Sequence, residues 1–301
     1  MTRMLLLTVG LIFFAGVADA ADPARVLFVT QSAGFKHGVV DREKAGGQLA
    51  PAEVALKQLG QQSGLFTVDA TQDVASDFTR ENLQRYDIVA FYTTGDLPIA
   101  EADLSYFLND WLRQDGRGVL GFHSAMDTFH NTPAFWDMIG GTFVGHAWNA
   151  RDTVHLSVHD ADHPLAAPFA KAAGDDGHFE IRDEIYQYRH FQPHAVRVLM
   201  SLDVAATPTP NGVNTYYMHH VPVAWVRDYG RGKVYCNNLG HNPGTWTNRA
   251  FLDSIAAAVR WMSGEVEATA APNPEVSAAE ELKAADAFER GVSPEAPQFK
   301  G

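Results

Sequence analysis

The chain has 301 residues, enough for one large domain or two small ones. Its 46% hydrophobic and 20% charged residues describe an ordinary globular protein. Lys plus Arg number 23 against 36 Asp plus Glu, and the resulting net charge of -13 argues against a nucleic-acid partner, whose phosphates it would repel.

Residues 1–20 read as a secretory signal peptide. One basic residue, Arg3, precedes an apolar run over residues 5–17 that is too short to span a bilayer comfortably. Ala18-Asp19-Ala20 is a small-x-small cleavage site. Cleavage after Ala20 leaves no stable membrane span and implies a periplasmic or secreted protein. The single cysteine, Cys236, excludes an internal disulfide. It lies in Lys-Val-Tyr-Cys-Asn-Asn, a strand without elbow spacing, and reads as a small buried hydrophobe.

In chain order, residues 25–30 (RVLFVT) form a first strand, followed by a Gly-containing loop over 31–40. Helical spacing over 51–59 puts Val54, Ala55 and Leu59 on one face. Strands are expected at 66–69 and 87–92, a helix at 101–114 and a strand at 118–122. This alternation implies βαβ units and a mostly parallel sheet in a three-layer α/β/α domain, with both faces covered. The second half is more β-rich, with strands expected at 153–158, 180–188, 196–202, 223–227 and 233–237 and a last helix at 250–262. The domain therefore covers 21–264. Residues 265–301, rich in Ala, Pro and Glu, read as an acidic tail with one short helix at 278–288.

Ligands of open α/β sheets bind beyond the carboxyl ends of the strands. Four polar groups occupy such positions: 31–37, 93–96, 123–127 and 239–246. The first residue to consider is His123. Gly121 and Ala125 flank it at two residues on either side, the spacing of a nucleophile elbow, where Ser or Cys usually stands. The positive end of a following helix would favour a neutral imidazole, suited to a general base, a hydrogen-bond partner or a metal ligand. Ser124, one residue off the centre, reads as a hydrogen-bond donor. His37 follows Gly34, Phe35 and Lys36, and Thr94 lies in Thr93-Thr94-Gly95-Asp96. His146 ends the slim Gly140-Gly141-Thr142-Phe143-Val144-Gly145 loop, and His241 follows a strand with Trp246 as an apolar platform for a sugar ring. Of the neighbours Asp183 and Glu184, strand alternation lets one face the site, and Glu184 is chosen.

The chain has 13 histidines but no His-x-x-x-His or His-Glu-x-x-His helix. Any divalent metal, Zn or Mn, would have to be held by three of His37, His123, His146 and His241. No cofactor is otherwise implied.

The ordered set Ser32–His37, Thr93–Asp96, Gly121–Ala125, Gly140–His146, His163-Pro164, Asp183–Tyr186, Ala224–Val234 and Leu239–His241 resembles the ThuA-like family, named for trehalose utilisation. The resemblance spans about residues 25–264. It implies a class I glutamine amidotransferase-like fold whose nucleophile is lost: His123 stands in the place of the catalytic Cys, and His241 roughly in that of the catalytic His. Glutaminase activity is then not expected. Family context implies a small-molecule carbohydrate, including 3-keto-disaccharides. His123 or His241 would be the base, Glu184 the partner acid, and His37 and His146 would orient hydroxyls. A non-catalytic sugar-binding module and a His-based metal-dependent hydrolase remain as alternatives, and the oligomeric state is open.

Overall fold

The computed structural model describes residues 22–207 and 220–290. The expected signal peptide, residues 1–20, lies outside the described residues. The chain opens with β1 (Ala24–Val29), α1 (Pro51–Ser63), β2 (Phe66–Thr71), the single turns α2 (Val74–Asp77) and α3 (Arg80–Leu83), and β3 (Ile88–Phe91). Then come α4 (Glu101–Tyr106), β4 (Gly118–Phe122), α5 (Pro133–Ile139), β5 (Thr142–Trp148), β6 (Thr153–Val158) and α6 (Ala167–Ala172). The second half continues with β7 (His178–Arg182), β8 (Ile185–Arg189), β9 (Arg197–Leu202), β10 (Pro222–Tyr229), β11 (Gly232–Asn237), α7 (Arg249–Met262) and α8 (Pro274–Glu289).

Among the described residues, nine strands form one sheet in the order β2-β1-β3-β4-β11-β10-β9-β6-β7. From β2 to β11 every neighbour is parallel; from β11 to β7 every neighbour is antiparallel. This is the α/β architecture expected, with its β-rich second half. The parallel strands are apolar runs because both faces are covered. In β1, Val26 and Phe28 join the core on one side and Leu27 and Val29 the core on the other. On the first side α1 presents Ala52 and Leu56, with Ala55 and Leu59 flanking, so its buried stripe is rotated from the expected Val54 face. No helix among the described residues is long and apolar enough to cross a membrane.

Four expectations are corrected. The strand expected over 180–188 is two strands, β7 and β8, in different sheets. It breaks at Asp183 and Glu184, where the Asp183 carboxylate is drawn inward by the donors described below. The Gly-rich segment before His146 is strand β5, paired antiparallel with β8 as a small second sheet. The helix expected over 101–114 stops at Tyr106 and continues as a π turn, Phe107–Trp111, which still buries Phe107, Leu108 and Trp111. The expected tail is part of the fold as far as residue 289. Asn273 brackets β9, its amide accepting from Val198 N at 2.7 Å and donating to Val198 O at 3.0 Å. The small residues Ala284 and Ala287 of α8 are buried in the main core.

An ion pair between Lys283 of α8 and Asp203 ties this helix down, with His178 Nε2 3.0 Å from the same carboxylate. Burial alone would raise the Asp203 carboxyl, but Lys283, the Ala206 N–H and His178 outweigh it and bring it down to about 2 from 3.8. A depressed carboxyl stabilises the fold above its unfolded value and loses that contribution as pH falls through the folded one. The docking of α8 should therefore be firm above about pH 4 and loosen between about pH 4 and pH 2. Hydrogen exchange of the α8 amides checks this, and Lys283→Met should remove the transition from that window.

Candidate functional site

Four strand ends meet at one edge of the sheet: His37 lies beyond β1, Thr94 beyond β3, His123 beyond β4 and His241 beyond β11. The place is the topological switch point, where the chain leaves β1 for β2 on one side and returns to β3 on the other. Three imidazoles form a near-equilateral triangle there. Ring centroids are 5.0 Å apart for His37–His123, 5.2 Å for His37–His241 and 5.3 Å for His123–His241, each pair close to perpendicular.

His123 sits on the expected elbow. Its φ of 42° is left-handed, a conformation that costs a non-glycine residue about 1–3 kcal/mol. Gly121 makes the turn feasible, since a Cβ there would lie 2.9 Å from Ile139 Cδ1 and 3.1 Å from Cys236 Sγ. The segment after it, His123–Asp127, is a 3-10 turn and not the helix expected. Orientation of the ring comes instead from a hydrogen bond. His123 Nδ1 lies 2.7 Å from the Asn238 carbonyl, which only accepts, so Nδ1 carries the proton. Nε2 is then turned to Glu184 Oε1 at 3.7 Å, buried and without a hydrogen-bond partner.

Glu184 is placed by its neighbour. The buried Asp183 carboxylate accepts from Gly240 N at 2.8 Å, Asn242 N at 3.0 Å, Thr245 Oγ1 at 2.7 Å and Glu184 N at 3.0 Å. This clamp fixes the β7–β8 turn against the loop that carries His241. His241 Nε2 lies 3.9 Å and His146 Nδ1 3.6 Å from Glu184 Oε2. Burial would raise the Glu184 carboxyl, but His123, with His146 and His241 behind it, holds it below its ordinary value. Burial lowers His241, His123 adding to the effect and Glu184 and Asp183 opposing it.

The loop that carries His37 is braced by an ion pair between Arg42 and Glu53. Buried Glu53 accepts from Arg42 Nε at 3.0 Å and Ala50 N at 2.8 Å, fixing the loop between β1 and α1. Burial first, then the three neighbouring histidines, push His37 down to about 2, so it is neutral at any physiological pH. Its Nε2 meets the Tyr186 hydroxyl at 3.3 Å.

A cavity of about 410 Å³ opens over this group. His37, His146, Glu184 and His241 line it. Four other expected residues do not: His123 is fully buried, reaching toward Glu184 from behind the lining, and Thr94, Ser124 and Trp246 are buried as well. Thr94 is buried and its hydroxyl is used by the loop, accepting from Gly34 N at 3.2 Å and donating to Phe35 O at 2.9 Å. Gly95 permits that close approach: its φ is 71°, and a Cβ would sit 2.8 Å from Gly34 N. Ser124 is buried off the cavity wall. Trp246 is a core residue and no sugar platform, packed against Phe28, Phe122 and Phe251 with its Nε1 donating to Gly240 O at 2.9 Å. Sequence reasoning missed the apolar wall that the cavity does have, Phe35, Phe143 and Tyr186. Phe35 is 68% exposed, and an aromatic residue in a polar loop after a strand was the available signal. It also missed Asp127, four residues beyond His123. Burial raises the Asp127 carboxyl, against His130, whose Nε2 lies 2.6 Å from it.

Because the Asp183 clamp supplies charge-assisted bonds to buried donors, Asp183→Ala should lower the unfolding free energy by about 3 kcal/mol or more in urea titration. A loss below about 1 kcal/mol would show that the clamp does not support the site.

The sequence profile of the family described as trehalose utilisation, ThuA, matches residues 25–262. A ThuA-like protein from Bacteroides uniformis has a similar structure, with a TM-score of 0.60 and 22% identity over 88% of this chain and 99% of that one. A ThuA-like protein from Parabacteroides merdae follows at 0.59 and 16%, over 84% of this chain and 98% of its own. No curated protein sequence matches this one. With its profile match running from β1 to the end of α7, the chain belongs to the ThuA family.

Proposed function

We propose that this protein is exported and acts on a sugar or 3-keto-disaccharide by acid-base chemistry in the histidine pocket, without glutaminase activity. The observation that carries the reading is the convergence of imidazoles on one carboxylate in a cavity whose lining holds no thiol or serine hydroxyl. The trehalose-utilisation description of the family supports carbohydrate as the substrate class. The cavity of about 410 Å³ is at the small end of the roughly 300–1,000 Å³ typical of ligand pockets. It suits one sugar ring, with Phe143 and Tyr186 against its C–H face and exposed Phe35 beside a second ring.

A carbonyl acidifies the C–H next to it, so elimination or isomerisation of a keto-sugar needs one group to take that proton and one to return it. His123, His241, Glu184, His146 and Asp127 all stand within this pocket or on its floor. Asp127, raised by burial, suits the acid that protonates a leaving oxygen. Thiol chemistry is disfavoured. Cys236 is buried, its Sγ meets the Ile139 carbonyl at 3.3 Å, and burial pushes the thiol far up.

Incubation of residues 21–301 with trehalose, glucose and 3-keto-glucosides, followed by NMR, should show turnover of the keto-sugars and no ammonia from glutamine. His123→Ala and Glu184→Gln, with unchanged circular dichroism, should each lower kcat by at least about 100-fold. Undiminished turnover in both would contradict the assignment. N-terminal sequencing of protein from the periplasmic or culture fraction should begin at Ala21, and retention of Met1 would contradict export.

A further inference from the structure

We infer that His37, His123, His241 and Glu184 form a binding site for one divalent transition metal of the zinc class. The inference rests on the reading of this pocket as the reacting centre and narrows it. Each of the four residues offers one ligand-capable atom, and these atoms lie within 4.8 Å of one another.

The outer nitrogens of the rings are already occupied. His123 Nδ1 donates to the Asn238 carbonyl. His241 Nδ1 faces Asn242 Oδ1 at 3.4 Å. The orientation of that amide is fixed, because Asn242 Nδ2 donates to Ala150 O at 2.7 Å and to Arg182 O at 2.9 Å. Its oxygen must therefore be the atom turned to His241, and His241 Nδ1 carries the proton. His37 Nε2 meets the Tyr186 hydroxyl. Metal-binding histidines are oriented in this way, by an outer N–H held on a carbonyl, amide or hydroxyl.

The inner atoms lack what they need. With both protons turned outward, the Nε2 lone pairs of His123 and His241 face Glu184 oxygens at 3.7 Å and 3.9 Å. Both distances are longer than a hydrogen bond, so neither contact satisfies the groups that make it. His37 Nδ1 and His123 Nε2 are buried without any hydrogen-bond partner. Leaving such groups unsatisfied is costly, and a cation at the centre satisfies them together. Ligands bound tetrahedrally at about 2.0–2.1 Å stand about 3.4 Å apart, so the His123–Glu184 and His241–Glu184 pairs, at 3.7 Å and 3.9 Å, would close by a few tenths of an ångström and the widest pair by at most about 1.4 Å.

Three imidazoles and one carboxylate suit zinc better than magnesium, calcium or manganese, which favour oxygen. Glu184, His37 and His241 border the cavity, so the ion would lie where a sugar oxygen can reach it. The proton-carrying then falls to Asp127 and His146, which line the same cavity outside the cage.

The test is elemental analysis of untagged mature protein, purified without chelator or added metal. About one zinc per chain is expected. After stripping with dipicolinate, titration with Zn²⁺ should restore the ion and raise the melting temperature. His241→Ala and Glu184→Gln should weaken Zn²⁺ binding by at least about 100-fold, while His146→Ala should stay within about threefold of wild type. The absence of stoichiometric metal, with no thermal shift in saturating Zn²⁺, would overturn the inference. Stoichiometric manganese would overturn the zinc-class assignment. Zinc bound without turnover of any keto-sugar would uphold the site and overturn the proposed reaction.

Discussion

The site depends on one buried carboxylate. Asp183 gathers two backbone N–H groups and a hydroxyl from the loop after β11, and its own side chain closes on Glu184 N. The parallel half of the main sheet supplies His37, His123 and His241 from strand ends, while the β7–β8 turn supplies Glu184 and β5 of the small second sheet supplies His146. Asp183 is the bond between these two contributions. It explains why the chain breaks between β7 and β8, although the residues on either side favour strand. A buried carboxylate of this kind is tolerated because four donors converge on its two oxygens.

The second constraint is the elbow. The backbone at His123 is left-handed and Gly121 makes room for the turn, although no acyl nucleophile stands there. Strain of about 1–3 kcal/mol at a non-glycine residue persists only where the surroundings over-determine it. Here the Asn238 carbonyl and the tilted Tyr186 ring, 4.2 Å from His123, do so. The elbow presents a lone pair instead of a nucleophile.

Much of the fold could be read from apolar runs, because parallel strands buried on both faces are continuous and short. Convergence of residues 31–37, 93–96, 123–127 and 239–246 followed from topology alone. Glu184 was chosen by alternation within an unbroken strand. The residue does face the cavity, but through a turn that alternation does not describe. Trp246 was misplaced because an aromatic residue after a strand has the same pattern whether it fills a core or walls a pocket. β5 was hidden by its glycines, which depress strand propensity while tertiary pairing with β8 overrides it. Docking of α8 rests on alanines and on the Asn273 bracket, neither of which leaves an apolar stripe. Asp127 carried no spacing signal and became visible only in three dimensions, whereas Phe35 was marked only as an aromatic residue in a polar loop.

The central claim is that His123 offers an unprotonated Nε2 to the pocket. Long-range ¹H–¹⁵N NMR on histidine-labelled, metal-stripped protein at pH 7 reads the position of each ring proton. The account predicts that His123 is protonated at Nδ1 alone, with Nε2 shifted as a bare lone pair. A proton on His123 Nε2 would contradict it.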